Sequence, residues 1–541
     1  MANRLGRVCC LLAAALVWVR CETREPPRAR GLAAQGVAFT LPIDSDPATL
    51  NFVTGTDAWQ SLVARFVADS LVDEGEELEP VPRLASSWEF SEDRKVLTFH
   101  LRQGVRWHDG LPCTARDVLF TYAKLRDPAT HARADFLQDV AGVTAPDDLT
   151  LRVVYREPTV LALDAWKFPI LAEHLFTRGD FLASAVHQSP VGTGPFRFDS
   201  WKHGREIVLS ANRDYFLGAP RLDRIILKII PSRATQFQAL MTGEIDWSSI
   251  PPEEWDARKS QAEFRRRYHL FEYPALYLHY IAWNEKTPFF ADARVRNAMT
   301  LSLDRAGYVR KAYRGGGIVA VTTFHPRQFG FDPELLPLPH DPERAAVLLD
   351  AAGWSRNPGG GPRRRAGKRF RFELLIFQGN PVQEQIAALL QESLSRLGIE
   401  MEIRALDFPA LLDRLHRHDF EAAFSGWSLT PDPDPTPFFH SDPAFGPSNY
   451  VGYSDAEIDR LLVEGRHAFD PSKRREIYRR VQEILARDQP YTFLFFPIQR
   501  VALDSRFRGA RVTAAGSPLR AFPGILSWYV PGELRKRPVQ P

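Results

Sequence analysis

The stretch from Arg83 to Tyr122, RLASSWEFSEDRKVLTFHLRQGVRWHDGLPCTARDVLFTY, constrains the fold more than any other part of this chain. Val96, Leu97, Phe99 and Leu101 supply the apolar positions of a strand over Val96–Leu101. His108-Asp109-Gly110 predicts a tight turn after it, because Gly tolerates positive φ and Asp bonds its own backbone. Thr114, with Asp117 three residues later, forms a capping-box pair that satisfies free N–H groups at a helix start. Val118, Leu119, Tyr122 and Leu125 then share one helical face. The reading is strand, turn, capped helix, and nothing in it is catalytic.

A chain of 541 residues exceeds one typical domain, so two or three lobes are expected. With 44% hydrophobic residues and 12 Trp it can bury a real core; 42 Pro and 25% charged residues predict many loops and a soluble surface. The net charge of +3 equals the three arginines of residues 1–20, which contain no acid. The remaining body is neutral, which argues against a general nucleic-acid binder. Val8–Val19 is apolar, follows Arg4 and Arg7, and has the length of a signal-peptide core. It is too short to span a bilayer stably. Cys113 is the only cysteine beyond Cys21, so no internal disulfide or zinc pattern is expected, and Cys113 reads as a small packed residue.

Further along, Trp59–Leu71 has helical spacing, and Leu222–Ile230 and Leu276–Trp283 read as strands. Ala234–Leu240 continues toward Gly243, a helix ending on glycine. Phe370–Phe377, Val382–Leu397 and Ile399–Leu406 read strand, helix, strand, which predicts a largely parallel sheet in the second half. Asp455–Glu464 and Ser472–Arg487 read as late helices, and Tyr491–Phe496 as a strand returning to the first half. Gly192-Thr-Gly194 is followed by Pro-Phe, so it leads into a strand and is no phosphate loop. Gly359–Lys368 reads as a basic, solvated hairpin tip.

The motifs Arg-x-Ala-x-Ser-Trp at Arg83–Trp88, Leu-Arg-x-Gly-Val-x-Trp-His-Asp-Gly at Leu101–Gly110 and Thr-Ala-x-Asp-Val at Thr114–Val118 resemble the extracytoplasmic solute-binding proteins of peptide and nickel ABC transporters, family 5. Val191–Phe196, Asn212–Gly218 and Asp292–Ala298 add to the resemblance, which covers about Phe39 to Phe496. It implies an α/β, two-lobed periplasmic-binding-protein-like fold (cluster C), with an extra subdomain inserted in the first lobe. The expected layout is a signal peptide over 1–21 and a linker over 22–35. Lobe one spans 36–275 with the insert at about 70–190, lobe two spans 276–489, and 490–541 returns to lobe one. Residues 1–30 resemble a lipoprotein signal with Cys21 as the lipidated residue, although Arg20 and Trp18 depart from that pattern; an unmodified Cys21 in a discarded peptide is the other reading.

A cleft between two lobes suits a ligand, since closure buries it and reports occupancy. The candidate wall is Phe424–Phe439, where Gly426-Trp427 leads into a proline-stiffened acidic loop. Trp427 reads either as a stacking surface or as a buried core aromatic, Ser428 and Thr430 offer hydroxyls, and Asp432 and Asp434 read either as cation partners or as plain turn residues. In the peptide binders an Asp shortly after Gly-Trp holds the α-ammonium group; by position the match here is Thr430, which carries no charge. Other expected wall residues are Thr54, Thr56 and Trp59, then Tyr280, Trp283 and Asn284, and finally Gln378 and Asn380. No Gly-x-Ser-x-Gly or His-Glu-x-x-His occurs, and His416-Arg-His418 points its imidazoles apart. No catalysis, cofactor or metal is expected. The expected role is capture of a peptide, or of an opine, sugar or nickel chelate, for delivery to ABC permease subunits, by a monomer in the periplasm or cell envelope that touches the membrane only through a lipid anchor. An envelope sensor without a permease is the alternative.

Overall fold

The computed structural model describes residues 36–535 except Thr56, Arg133, Arg178 and 357–359. Cys21, the signal segment, the linker and Thr56 lie outside the described residues.

The opening strand Ala38–Ile43 pairs in parallel with Arg224–Ile229, and the antiparallel strands Glu206–Ala211 and Phe196–Lys202 complete a four-stranded sheet. The helix after it runs Ala58–Val67, shorter than its spacing predicts. Asp57 caps its start by accepting from the Gln60 N–H at 2.7 Å, and the chain turns extended at Ala68. A second four-stranded sheet, all antiparallel, joins Ala85–Phe90, Val96–Leu101, Thr150–Tyr155 and Val140–Asp147. It lies within the segment read as an insert. The helix Ala115–Arg126 starts on the predicted capping box of Thr114 and Asp117.

A buried carboxylate fixes this inserted sheet to the first. Asp69, 1% exposed, accepts from Arg83 Nε (3.1 Å), Thr193 Oγ1 (2.9 Å) and Tyr215 Oη (2.9 Å). Arg83 also reaches Asp73 at 3.2 Å. The Gly192-Thr-Gly194 segment comes so close to Val67 that a Cβ at Gly192 would stand 1.8 Å from the Val67 carbonyl oxygen. Glycine is therefore required by close backbone approach, and the Gly194 N–H donates to that same carbonyl at 2.9 Å. His108 completes the joint: its backbone N–H donates to the Gly192 carbonyl (2.8 Å), and its Nδ1 accepts from the Gly192 N–H (3.2 Å).

The third sheet differs from the parallel one expected. It has eight strands in the path Trp247–Ser249, Tyr491–Asp504, Tyr277–Trp283, Ala422–Ser428, Arg371–Phe377 and Glu400–Leu406, with Tyr268–Pro274 and Gly317–Val319 also on Tyr491–Asp504. Only the pairings of Arg371–Phe377 are parallel. The strand–helix–strand unit read from sequence is real, but the long strands beside it run antiparallel. The last strand does not stop at Phe496. Its first half pairs with Tyr277–Trp283 and its second with Tyr268–Pro274, so one fourteen-residue strand links both halves of the chain.

The basic tip is solvated only in part. Arg364–Arg365 pairs with Lys368–Arg369 as an exposed hairpin, but Arg363 is 1% exposed. Its guanidinium donates to the Trp354 and Leu397 carbonyls and to Asp350. Cys113 is buried, and burial pushes its thiol pKa up, as suits a packed residue.

Asp69→Asn keeps the shape but leaves Asp73 as the one carboxylate paired with Arg83 among the described residues. Removing one partner of a buried pair costs about 3–5 kcal/mol. Urea unfolding is expected to show that loss, with Thr193→Ala costing about 1 kcal/mol. A second expectation concerns pH. Burial pushes the imidazoles of His108, His279 and His325 down to about 4. The unfolded chain takes up protons on them first as pH falls, so their contribution is complete above pH 6.5 and lost between 6.5 and 4. Glu285 works oppositely: burial raises its carboxyl to about 7, and its contribution, full below 4.5, fades as pH rises through 7. Between pH 6.5 and 4.5 the His279→Phe chain is expected to lose less of its urea midpoint than the parent chain, because it lacks one of these imidazoles.

Candidate functional site

Strand alternation decides which faces of the central strands meet a neighbour. Along Tyr277–Trp283, Leu278, Tyr280 and Ala282 point into one core; Ile281 and Trp283 point into another. Tyr280 and Trp427 sit in the packed interior. Trp427 is 6% exposed, stacks on Phe438 at 4.3 Å, and meets Tyr280 at 4.1 Å and Tyr491 at 4.6 Å between ring centroids. Trp283 is fully buried and donates to Thr492 Oγ1 at 2.9 Å. Asn284 is also buried: its amide donates to the His418 and Phe420 carbonyls at 3.0 and 2.7 Å, and its oxygen accepts from Lys286. It braces a turn.

The other expected wall residues spread out. Ser428 and Thr430 are exposed at the end of the strand Ala422–Ser428. Trp59 is half-buried and donates to Asp44, and the Thr54 N–H donates to Asn51 Oδ1 at 3.3 Å. Asn380 caps the helix Pro381–Arg396 by accepting from Gln383 N–H at 3.2 Å, with Gln378 exposed beside it. Ser428, Thr430, Asp432 and Asp434 follow one another at the carboxyl end of Ala422–Ser428, and because Arg371–Phe377 runs parallel beside that strand, Gln378 and Asn380 leave the sheet at the same end.

The acidic loop is tightly braced. Thr430 Oγ1 donates to the Asp432 carbonyl at 2.6 Å, and Gln328 Nε2 donates to the Thr430 carbonyl at 2.5 Å. Asp432 takes a two-pronged hydrogen bond from Arg474, at 2.8 and 2.7 Å. Asp434 lies 3.5 Å from Arg466 Nε and accepts from the Thr436 N–H at 3.1 Å. Burial pushes the Asp434 carboxyl up and Arg466 pulls it back, with a net rise. Arg466 and Arg474 project from the helices Ala456–His467 and Pro471–Asp488, at positions turned toward the core. Their signal in the sequence was an arginine where the helical period calls for an apolar residue, and the sequence reading missed both.

This loop stands where the second lobe touches the inserted sheet. Arg466 Nη2 reaches Asp139 of the insert at 2.9 Å, and the Val160 N–H donates to the Arg466 carbonyl at 2.9 Å. Arg94 lies over the Phe469 ring at 4.2 Å, and Arg327 Nη1 donates to the Thr513 carbonyl at 3.0 Å. Burial raises the Asp164 carboxyl, Lys167 lowers it and Asp432 raises it again, so Asp164 feels the loop across the boundary. Lys167 pairs with Asp164 and lines a cavity of about 260 Å³ with Phe52, Gly55, Gln60, Arg65 and Asp73. The loop containing Thr54 thus forms one side of a polar cavity next to the lobe boundary. Among the described residues, no group of three or more His, Cys, Asp or Glu side chains is placed to hold a metal. No described helix is long and apolar enough to cross a membrane.

A pair of sheets with an inserted third, bridged by one long strand and meeting across a braced loop, defines a two-lobed binding protein. The family profile described as bacterial extracellular solute-binding proteins, family 5, matches residues 79–447, and the chain belongs to that family. Over 516 residues it is 30% identical to the oligopeptide-binding protein AppA of Bacillus subtilis, covering 93% of each chain. It is 28% identical over 440 residues to a probable D,D-dipeptide-binding periplasmic protein of Escherichia coli, covering 79% of this chain and 81% of that one. The structure of AppA from Bacillus subtilis in complex with a nonapeptide superposes with a TM-score of 0.81 at 28% identity, over 91% of this chain and 99% of that one. NikA from Brucella suis, at 21% identity and a TM-score of 0.80 over 91% of this chain and its full counterpart, shares the fold.

Trp427→Ala removes a ring packed on four aromatic neighbours, Tyr280, Phe438, Phe439 and Tyr491. It is expected to cost about 3–5 kcal/mol of unfolding free energy without any cargo present. Ser428→Ala, at an exposed position, is expected to stay within about 0.5 kcal/mol of the parent chain. Chemical denaturation of both variants checks the assignment of Trp427 to the core.

Proposed function

We propose that this chain is the cargo-binding component of an ABC importer and that its cargo is peptide. It captures the peptide between its lobes and hands it to permease subunits in the membrane. The likeness to an oligopeptide-binding relative over 93% of both chains carries this reading, and the nonapeptide held by that relative's structure supports the size of the cargo. Two features support it: the exposed hydroxyls of Ser428 and Thr430 follow a strand of the second lobe, and a polar cavity lined by Gly55, Arg65, Asp73 and Lys167 lies in the first. Binding there joins both halves and favours the joined state by the difference in affinity.

The chain works without altering its cargo chemically, as a monomer outside the cytoplasm. Residues 1–20 direct its export, and Cys21 carries a lipid that tethers it to the envelope. Wall contacts come from Ser428, Thr430 and the segment around Thr54 to Trp59.

Mass spectrometry of small molecules released on denaturing the purified chain tests this. Recovery of peptides is expected, and a peptide pool is expected to raise the melting temperature. Recovery of opines, sugars or metal chelates with no peptide, and no melting shift with the pool, overturns the peptide reading.

A further inference from the structure

Arg466 sits in the last turn of the helix Ala456–His467, where the second lobe lies against the insert. Its side chain is 9% exposed. In its own lobe it faces Asp434 at 3.5 Å, but its Nε makes no hydrogen bond among the described residues. Its two terminal nitrogens turn to the insert instead. Nη2 stands 2.9 Å from Asp139 Oδ2. Nη1 donates to the side-chain oxygen of Gln138 at 2.8 Å, with that amide oriented to suit both its neighbours. The same amide donates back across the seam to the Ala444 carbonyl at 2.7 Å.

The main chain meets there too. The last carbonyls of a helix have no partner within it, and that of Arg466 accepts from the Val160 N–H of the insert at 2.9 Å. Beside it, the exposed Arg94 covers the half-buried Phe469 ring at 4.2 Å. The insert is fixed to the first sheet through Asp69, so these contacts tie the second lobe to the first half at a place other than the shared strand Tyr491–Asp504. Little water reaches the guanidinium while the seam is shut, so its pair with Asp139 is firmer than an ion pair on the open surface. Asp139 is 29% exposed, at the rim, where water takes its place once the lobes part. Asp434 stays beside Arg466 in either case, because both belong to the second lobe.

We infer that Arg466, with Asp139 and Gln138, is a latch between the second lobe and the insert, and that it sets how long cargo stays bound. The cargo part of this rests on the peptide reading above. A solute enclosed between two lobes leaves only when they separate, so its release rate follows the stability of the shut state. Arg466 and Asp139 are positioning residues in this role.

The test compares the full parent chain with Asp139→Ala and Asp139→Glu, neither of which alters Arg466 or Asp434. Small-angle scattering without peptide is expected to give a larger radius of gyration for Asp139→Ala than for the parent, and for Asp139→Glu a radius close to the parent's. Equal radii for all three chains overturn the latch, whatever the cargo. With a dye-labelled nonapeptide library, release from Asp139→Ala is expected to be at least about fivefold faster than from the parent, with association no slower, and Asp139→Glu to come within about twofold of the parent. Unchanged release from Asp139→Ala overturns the latch and leaves the peptide reading standing. Release from Asp139→Glu as fast as from Asp139→Ala also overturns it, because the carboxylate is then not what holds the lobes. No binding of the library by the parent chain rejects the peptide reading, and the scattering comparison alone then decides the latch.

Discussion

The buried carboxylate of Asp69 is the interaction on which the rest of the molecule depends. It collects donors from Arg83, Thr193 and Tyr215, the last two 124 and 146 residues away in sequence. An ionised group at such a depth is stable only when paired and hydrogen-bonded, so the partners cannot be separated singly. Those three partners lie at the start of the insert, at the chain's return from it, and in the loop that follows. The carboxylate therefore sets where the inserted sheet stands on the first sheet. Every contact between that insert and the second lobe, including Arg466 with Asp139, presupposes this placement.

The second constraint is the long strand Tyr491–Asp504. Strands from both halves of the chain pair along its length. A shared strand holds the two halves in register at one edge, and it leaves the opposite edge free to be joined by side chains. The joining groups are arginines: Arg466, Arg327 and Arg94 each reach across to the other part. A planar guanidinium with several donors suits that task better than an ammonium does.

At the loop after Trp427 these constraints meet function. The indole that looked like a stacking surface is consumed by core packing, and the carboxylates that looked like cation anchors are consumed by Arg466 and Arg474. What is left toward the boundary is hydroxyl and backbone.

The sequence by itself determined the local devices and the family. The capping box of Thr114 and Asp117, the helix stop at Gly243, the strand–helix–strand unit from Arg371 to Leu406 and the packed thiol of Cys113 are each set by neighbours a few residues away, so their pattern is written in order along the chain. The tertiary structure decided the sheet's mixed direction, the extension of the last strand to Asp504, and the fate of Tyr280, Trp427, Asn284, Asp432 and Asp434. Period-two alternation says that Tyr280 and Tyr277 face opposite sides, but not which side is core. An aspartate in a loop reads the same whether its partner is solvent, cargo or an arginine 42 residues further on. Burial and pairing are properties of what the fold brings together, and only the folded chain specifies them.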